Sequence, residues 1–261
     1  MASFSIFKPD KFVRTLTYSV SVVAVIYFIC MFVAPWVQGR GDWTHVQNVW
    51  DRWQSLNVGL LAFIASITAL NISRFNSERQ RERDFLASKA FLSSALSELV
   101  GYFKESASVY KQGWEAAPGA QPEFKIPELP KEYKPVFQEC IRHAPPNVGD
   151  YLSQILMRLQ VHDARLRSYV SQDEDDAHFT PQRNNLISYF YRLGELLAMV
   201  NNLFGFARNI EEFDGAPINW EDFHTAYANL NIWEDQIRIS DELDLEQFTK
   251  RAISRNSDQN T

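Results

Sequence analysis

A histidine and an aspartate that follow each other, His162 and Asp163, are residue types that could perform acid–base chemistry. The stretch around them has helical periodicity, and one face of it carries the apolar residues Leu152, Ile155, Leu159, Leu166 and Val170. Adjacent residues on a helix point about 100° apart, so the pair cannot form a catalytic dyad by itself. We therefore expect a structural or surface role for both side chains.

A short acidic segment follows, and it offers hard oxygen ligands of the kind that divalent cations prefer. Its members are Asp173, Glu174, Asp175, Asp176 and His178. The segment lacks the ligand spacing of an EF-hand and the glycine that its turn requires. We expect a solvated acidic loop here and not a metal site.

No other arrangement in the sequence is typical of an enzyme. It contains no Gly-rich phosphate loop, nucleophile elbow, pair of zinc motifs, HExxH helix or Rossmann fingerprint. Carboxylates such as Glu195, Glu211 and Glu212 have no partner at a convincing spacing, and two cysteines, Cys30 and Cys140, provide no disulfide framework. We predict no catalytic residue, no metal site and no cofactor, and we expect a protein that is not an enzyme.

The charge distribution divides the chain into a basic and an acidic part. Up to Lys89 the sequence has 10 Lys and Arg and 6 Asp and Glu, a net charge of +4. The totals of 26 and 32 leave 16 basic and 26 acidic residues after it, a net charge of −10. Because such an acidic domain repels a phosphate backbone, we expect no direct sequence-specific nucleic-acid binding.

The basic part contains two apolar stretches, without a charged residue over 16–37 and 56–72, and we predict transmembrane helices at 16–37 and 56–75. For the first stretch a cleaved signal peptide is the alternative, but its apolar run exceeds the roughly 7 to 15 residues of a signal peptide. Lys and Arg are concentrated in residues 1–15 and again after the second stretch. The positive-inside rule therefore predicts a multi-pass protein of the bacterial inner membrane with both termini in the cytoplasm.

The loop between the spans, 38–55, contributes to a group of tryptophans that we predict to be interfacial anchors: Trp36, Trp43, Trp50 and Trp53. Tryptophan favours the headgroup level because its ring is apolar and its N–H needs a polar partner. Asp42 is placed to cap a short helix that carries the last three of them. Binding of a ligand by these rings is the alternative interpretation.

The second span carries small residues at spacings of three and four, which we call the small-residue seam: Gly59, Ala62, Ser66, Ala69 and Ser73. Small side chains let helices approach closely in lipid. The seam is predicted to pack against the first span or to join copies of the chain in a homo-oligomer. Asn57, Thr68 and Asn71 in the same span could line a pore, with hydrogen bonding to the first span as the alternative.

After the spans we predict an all-α cytoplasmic domain at 76–253. No glycine or proline occurs between Leu60 and Val100, so the second span should continue as a long stalk helix. A Pro-rich connector at 115–130 should interrupt the helices. Further helices are expected from Thr180 to Gly215, from Asn219 with Asp222 as its cap, and from Asp241 to Ala252, followed by a disordered tail at 254–261.

This layout, with the segment Trp53 to Leu92, WQSLNVGLLAFIASITALNISRFNSERQRERDFLASKAFL, resembles the two-span membrane effectors of bacterial anti-phage (retron-type) defence systems. In those systems a reverse transcriptase and its noncoding RNA restrain a toxic protein. The resemblance implies abortive infection, in which the chain damages the inner membrane after release by a ribonucleoprotein or protein partner. The alternative function is a membrane-tethered adaptor or accessory subunit whose helical bundle binds a cytoplasmic protein partner.

Overall fold

The structure, a computed structural model, describes residues 11–116, 124–175, 183–240 and 243–258, which are mostly helical as predicted. Its helices are α1 (Lys11–Phe28), a π-helical turn (Ile29–Val33), α2 (Ala34–Gln38), α3 (Trp43–Arg52), α4 (Gln54–Glu115), α5 (Tyr133–His143), α6 (Pro146–Asp175), α7 (Arg183–Ala207), α8 (Trp220–Asn229) and α9 (Leu245–Asp258). Two strands, β1 (Arg238–Ser240) and β2 (Leu243–Asp244), form an antiparallel pair that the sequence analysis did not predict. The chain divides into two compact units, the first ending at Arg79 and the second beginning at Gln80.

Two helical stretches of the described chain are long and apolar enough to cross a membrane. The first is Ser21–Gln38, which combines the end of α1 with the π-helical turn and α2, and the second belongs to α4. Helix α4 is continuous over 62 residues because the sequence offers no proline and few glycines to interrupt it. The predicted long helix is therefore confirmed.

A proline explains the π-helical turn between α1 and α2. Pro35 has no backbone N–H and cannot donate to the carbonyl of Met31, four residues earlier. The N–H of Ala34 instead reaches back to Ile29, the wider spacing that defines a π-turn. The turn therefore leaves the Met31 carbonyl free to accept from outside the helix.

The second unit has one apolar core to which every long helix of the unit contributes. On α4 the core residues include Leu92, Leu96, Leu99 and Phe103, while Phe91 is exposed. Helix α7 carries an apolar stripe at spacings of four and three that is buried from Leu186 to Val200. It contacts α6, α8 and α9.

Local capping sequences fix several helix ends. Asp42 accepts from the N–H of Thr44 and begins α3, and Asn219 with Asp222 forms the capping box of α8, both as predicted. Helix α7 ends at Ala207 and not at Gly215, because Asn209 adopts a left-handed conformation and Ile210 donates to the Gly205 carbonyl. The prediction overlooked that asparagine can also terminate a helix in this way.

Three further predictions differ from the structure or fall outside it. Helix α9 continues to Asp258, beyond the predicted start of the tail at 254. Helix α4 extends into the predicted Pro-rich connector as far as Glu115. Residues 124–130 have no helix or strand, and 117–123 lie outside the described residues. Asp173 to Asp175 of the predicted acidic loop belong to α6. The rest of that loop and the start of the helix predicted from Thr180 lie outside the described residues.

Candidate functional site: two faces of helix α4

Helix α4 has two different faces in the first unit. One is directed at α1: Asn57, Leu60 and Ile67 are half-buried, and Asn57 accepts a hydrogen bond from the Tyr27 hydroxyl at 2.5 Å. The small-residue seam lies on the other side of the helix, about 180° away at roughly 100° per residue. These two faces determine what the helix can contact.

Every residue of the small-residue seam is exposed in the structure: Gly59, Ala62, Ser66, Ala69 and Ser73. A Cβ built on Gly59 would meet nothing within 4 Å, and the Ser66 hydroxyl donates to the Ala62 carbonyl of its own helix. In the structure the seam therefore does not face the first apolar helix, and its role in helix packing or in a homo-oligomer stays a prediction. The seam remains available to another molecule.

The polar residues predicted to line a pore lie on the α1 side of α4, away from the seam. Asn57 is hydrogen-bonded to Tyr27, which is the alternative that the sequence analysis considered for it. The Thr68 hydroxyl donates to the Ile64 carbonyl at 2.9 Å, and Asn71 is exposed. A pore lined by these residues stays a prediction.

The tryptophans predicted to be interfacial anchors separate into an exposed group and one residue with a specific partner. Trp36, Trp43 and Trp53 are 43%, 50% and 49% exposed. Trp50 is half-buried, its indole N–H donates to the carbonyl of Met31 at 2.9 Å, and its ring meets Phe32 edge to face. This bond was not predicted, although Pro35, four residues after Met31, indicates that the Met31 carbonyl lacks its usual donor.

The spacing of the small-residue seam recurs on the part of α4 that belongs to the second unit, which the sequence analysis also missed. The residues of this part of α4 that occupy the same heptad positions as the seam are Ala87, Ala90, Ser94, Ser97 and Gly101. All five are exposed, and a Cβ on Gly101 would meet nothing within 4 Å. A repeat of 3.5 residues with small side chains is a pattern that allows helices to pack closely along their length.

His162 and Asp163 face different surroundings, as their predicted structural role requires. His162 is 4% exposed and its ring meets Tyr102, Phe103 and Tyr110 edge to face. Burial lowers the pKa of His162 to about 4, so the ring is neutral at physiological pH. Asp163 accepts from the Tyr102 hydroxyl and from Arg167, each at 3.0 Å, and makes no bond to the histidine.

Glu195, which had no partner at a recognisable sequence spacing, is buried between two arginines. Arg158 of α6 approaches it at 2.6 Å and Arg192 of α7 at 2.9 Å. Because the two guanidinium groups neutralise the buried carboxylate and are themselves partly exposed, the arrangement is that of a structural ion pair that joins α6 to α7. Glu211 and Glu212 are exposed in the loop after α7.

The remaining polar chemistry of the second unit is sparse. Lys89 is 4% exposed with its ammonium 3.6 Å from the centre of the Phe206 ring, and desolvation lowers its pKa. Burial raises the pKa of the Cys140 thiol to about 12, so this thiol is unreactive at neutral pH. Among the described residues, no group of three or more His, Cys, Asp or Glu side chains could hold a metal ion.

Comparisons with known proteins add no relative from which a role could be transferred. No family model, no curated protein and no solved structure matches the chain.

Proposed function

We propose that this chain is a membrane effector of a bacterial antiviral system, which perturbs the inner membrane when a sensor partner releases it. In this proposal the two apolar helices cross the bilayer with both termini in the cytoplasm. The observation that carries the proposal is the exposure of the whole small-residue seam, on the face of α4 opposite Asn57 and Tyr27. A membrane anchor that only held a domain in place would have no need of such a surface.

The seam is suited to contact between copies of the chain. In lipid, apolar side chains gain little by meeting each other, so helix association depends on close van der Waals packing and on hydrogen bonds. Gly59 and Ala62 allow two backbones to approach, whereas large residues on other sides of the helix, such as Leu56 and Ile72, would hold them apart. We infer that a second copy covers the seam.

The second stretch of exposed small residues, from Ala87 to Gly101, supports the same conclusion independently of the bilayer. Exposed positions of a water-soluble helix usually carry long charged side chains, and here they carry alanine, serine and glycine at heptad spacing. In this proposal the stretch is a second surface for association between copies, and the second unit takes part in controlling it.

Control by a partner requires that the partner bind two states of the chain with different affinity. A partner that covers the stretch from Ala87 to Gly101 would keep copies apart, and its departure would allow them to associate. The sequence from residue 90 onward has a net charge of −10, which favours a partner with a basic surface, such as a protein component of a ribonucleoprotein. We propose such a partner as the sensor.

A membrane-tethered adaptor is the second candidate function, and one observation favours it. Met157 and Val161 lie one turn apart on α6 and are 58% and 48% exposed, in a unit whose other long apolar side chains are mostly buried. Exposed apolar pairs of this kind are common in surfaces that bind proteins. In the adaptor hypothesis this patch binds the partner and the seam has no working role.

Membrane potential in bacteria that express the full chain distinguishes the two functions. The effector hypothesis predicts depolarisation by the parent chain and its loss in a variant with Ala62→Leu and Ser66→Leu, because leucine at the seam blocks close approach. Ala65→Leu is the matched control, since Ala65 is exposed on α4 but is not in the seam. If the parent and both variants leave the potential unchanged when no partner is present, the effector hypothesis fails and the adaptor is favoured.

A further inference from the structure

A cleft of about 310 Å³ opens between α1, the π-helical turn, α3 and α4 in the first unit. Its walls are almost entirely apolar and include Ala24, Phe28, Phe32, Leu60, Leu61 and Ile64. The cleft lies on the α1 side of α4, so it is separate from the small-residue seam. It is large enough for a flexible apolar chain and has no wall of charged residues.

The polar groups at the border of this cleft are largely paired with each other. The Tyr27 hydroxyl donates to the Asn57 side-chain oxygen, and the Trp50 indole N–H donates to the Met31 carbonyl. A cavity whose polar groups are already paired and whose walls are apolar does not hold water well. Its occupant must therefore be mainly apolar.

One donor at the border has no partner among the described residues, the amide nitrogen of Asn57. Asn57 lies one helical turn after Trp53, whose carbonyl accepts the Asn57 backbone N–H at 2.9 Å. Tryptophans favour the headgroup level, so in the proposed bilayer the Asn57 amide lies about 6 Å below it, near the depth at which acyl chains join the glycerol backbone through esters. An ester carbonyl is the acceptor available at that depth.

We infer that this cleft is a binding site for a membrane phospholipid, with one acyl chain against Phe28, Leu61 and Ile64 and an ester carbonyl that accepts from Asn57. The inference rests on the proposed membrane location of the first unit. It does not depend on the seam, because the lipid occupies the opposite face of α4. A bound lipid would fill the space that α1 and α4 leave between them.

Photolabelling of the full chain tests this site. The chain is reconstituted in phosphatidylethanolamine and phosphatidylglycerol vesicles with a phospholipid that carries a diazirine in its acyl chain, and the labelled residues are identified by mass spectrometry. We expect several-fold more label at Leu61 and Ile64 than at Leu56 and Ile72, which are exposed apolar residues of the same helix outside both the cleft and the seam. Equal labelling at all four residues would overturn the inference.

Two variants and one change of probe make the test specific. Ala24→Phe fills the cleft from α1 and should reduce the label at Leu61 to the level at Ile72, whereas Ala65→Phe, outside the cleft, should not. A diether probe has no ester carbonyl, so it should label the cleft of the parent chain several-fold less than the diester probe does. In Asn57→Leu the two probes should label the cleft equally weakly. Equal labelling of the parent by both probes would remove Asn57 from the site.

Flotation of the same vesicles on a density gradient separates the failure of this inference from that of the proposed function. If the chain does not float with the vesicles, its membrane location is wrong and both proposals fall. If it floats and the cleft residues are labelled no more than Ile72, only the lipid site is overturned. Cross-links from the cleft residues to a second copy, in place of lipid label, would likewise overturn it.

Discussion

The indole N–H of Trp50 donates a hydrogen bond of 2.9 Å to the carbonyl oxygen of Met31, 19 residues earlier in the chain. This carbonyl would ordinarily accept from the residue four positions later, but that residue is Pro35. The tryptophan therefore replaces the donor that the proline lacks, and it connects α3 to the π-helical turn. An unpaired carbonyl at this position would be costly in the proposed bilayer, where no water is present to donate a hydrogen bond to it.

Replacing Trp50 by phenylalanine should remove this bond while it keeps an aromatic ring against Phe32. We expect the free energy of unfolding in bicelles to fall by about 1–2 kcal/mol, the cost of one unsatisfied polar group in such surroundings. Trp43→Phe is the matched control, because Trp43 is 50% exposed and donates no hydrogen bond to a described residue. Equal stability of the two variants would show that the bond contributes nothing.

A cysteine placed in the seam should form a disulfide between copies of the chain. In a Cys30→Ser background, Ser66→Cys is expected to give a covalent dimer in oxidised membranes, because small residues in the seam allow two helices to approach. Thr68→Cys is the control, since Thr68 lies two residues away on the opposite side of α4. Non-reducing electrophoresis measures the dimer, and a similar yield from both positions would contradict contact through the seam.

The same experiment can be applied to the second unit. Ser94→Cys should also form a disulfide if the exposed stretch from Ala87 to Gly101 meets its counterpart in another copy. Met157→Cys on α6 is a suitable control because it is exposed on a different helix. Dimers from Ser66→Cys without dimers from Ser94→Cys would restrict the association to the first unit.

His162 should make the stability of the second unit depend on pH in the acidic range. Its pKa is about 4 in the folded chain and near 6.5 when unfolded, so the unfolded state binds a proton first as the pH falls. The stabilisation is complete above pH 6.5 and is lost progressively toward pH 4, by about 3 kcal/mol in total. In His162→Leu this part of the loss should be absent, as measured by chemical denaturation in detergent at pH 7.5 and pH 4.5.

The ion pair around Glu195 should respond asymmetrically to removal of its members. Replacing both Arg158 and Arg192 by methionine leaves a buried carboxylate without a cation, and we expect a loss of about 3 kcal/mol or more in the free energy of unfolding. Glu195→Gln should cost about 1 kcal/mol, because both arginines are partly exposed and can be solvated. Chemical denaturation of the two variants checks this order, and the reverse order would mean that the carboxylate itself is not the costly group.

Much of the helical structure follows from local features of the sequence. Asp42 and Asn219 begin their helices through bonds to N–H groups two or three residues away, and the apolar stripe of α7 follows from spacings within two turns. The length of α4 follows from the scarcity of residues that break helices. These features were predictable because each depends on residues that lie close together in the chain.

Contacts between distant parts of the chain were not predictable in the same way. Whether α1 would cover the small-residue seam or the face of Asn57 depended on how two helices meet, and a seam of small residues is compatible with either arrangement. Likewise Arg158, the partner of Glu195 on α6, lies 37 residues before it in the chain (195 − 158). No local spacing encodes such a pair.

By itself the sequence determined the helical character of the chain, its two apolar helices and the separation of a basic part from an acidic part, because composition and periodicity act within single elements. Only the tertiary structure decided that the seam stays uncovered, that Trp50 reaches Met31 and that His162 is enclosed by three aromatic rings. Each of these depends on which helix faces are brought together. That choice is made by the packing of the whole unit, which residues of one helix cannot specify alone.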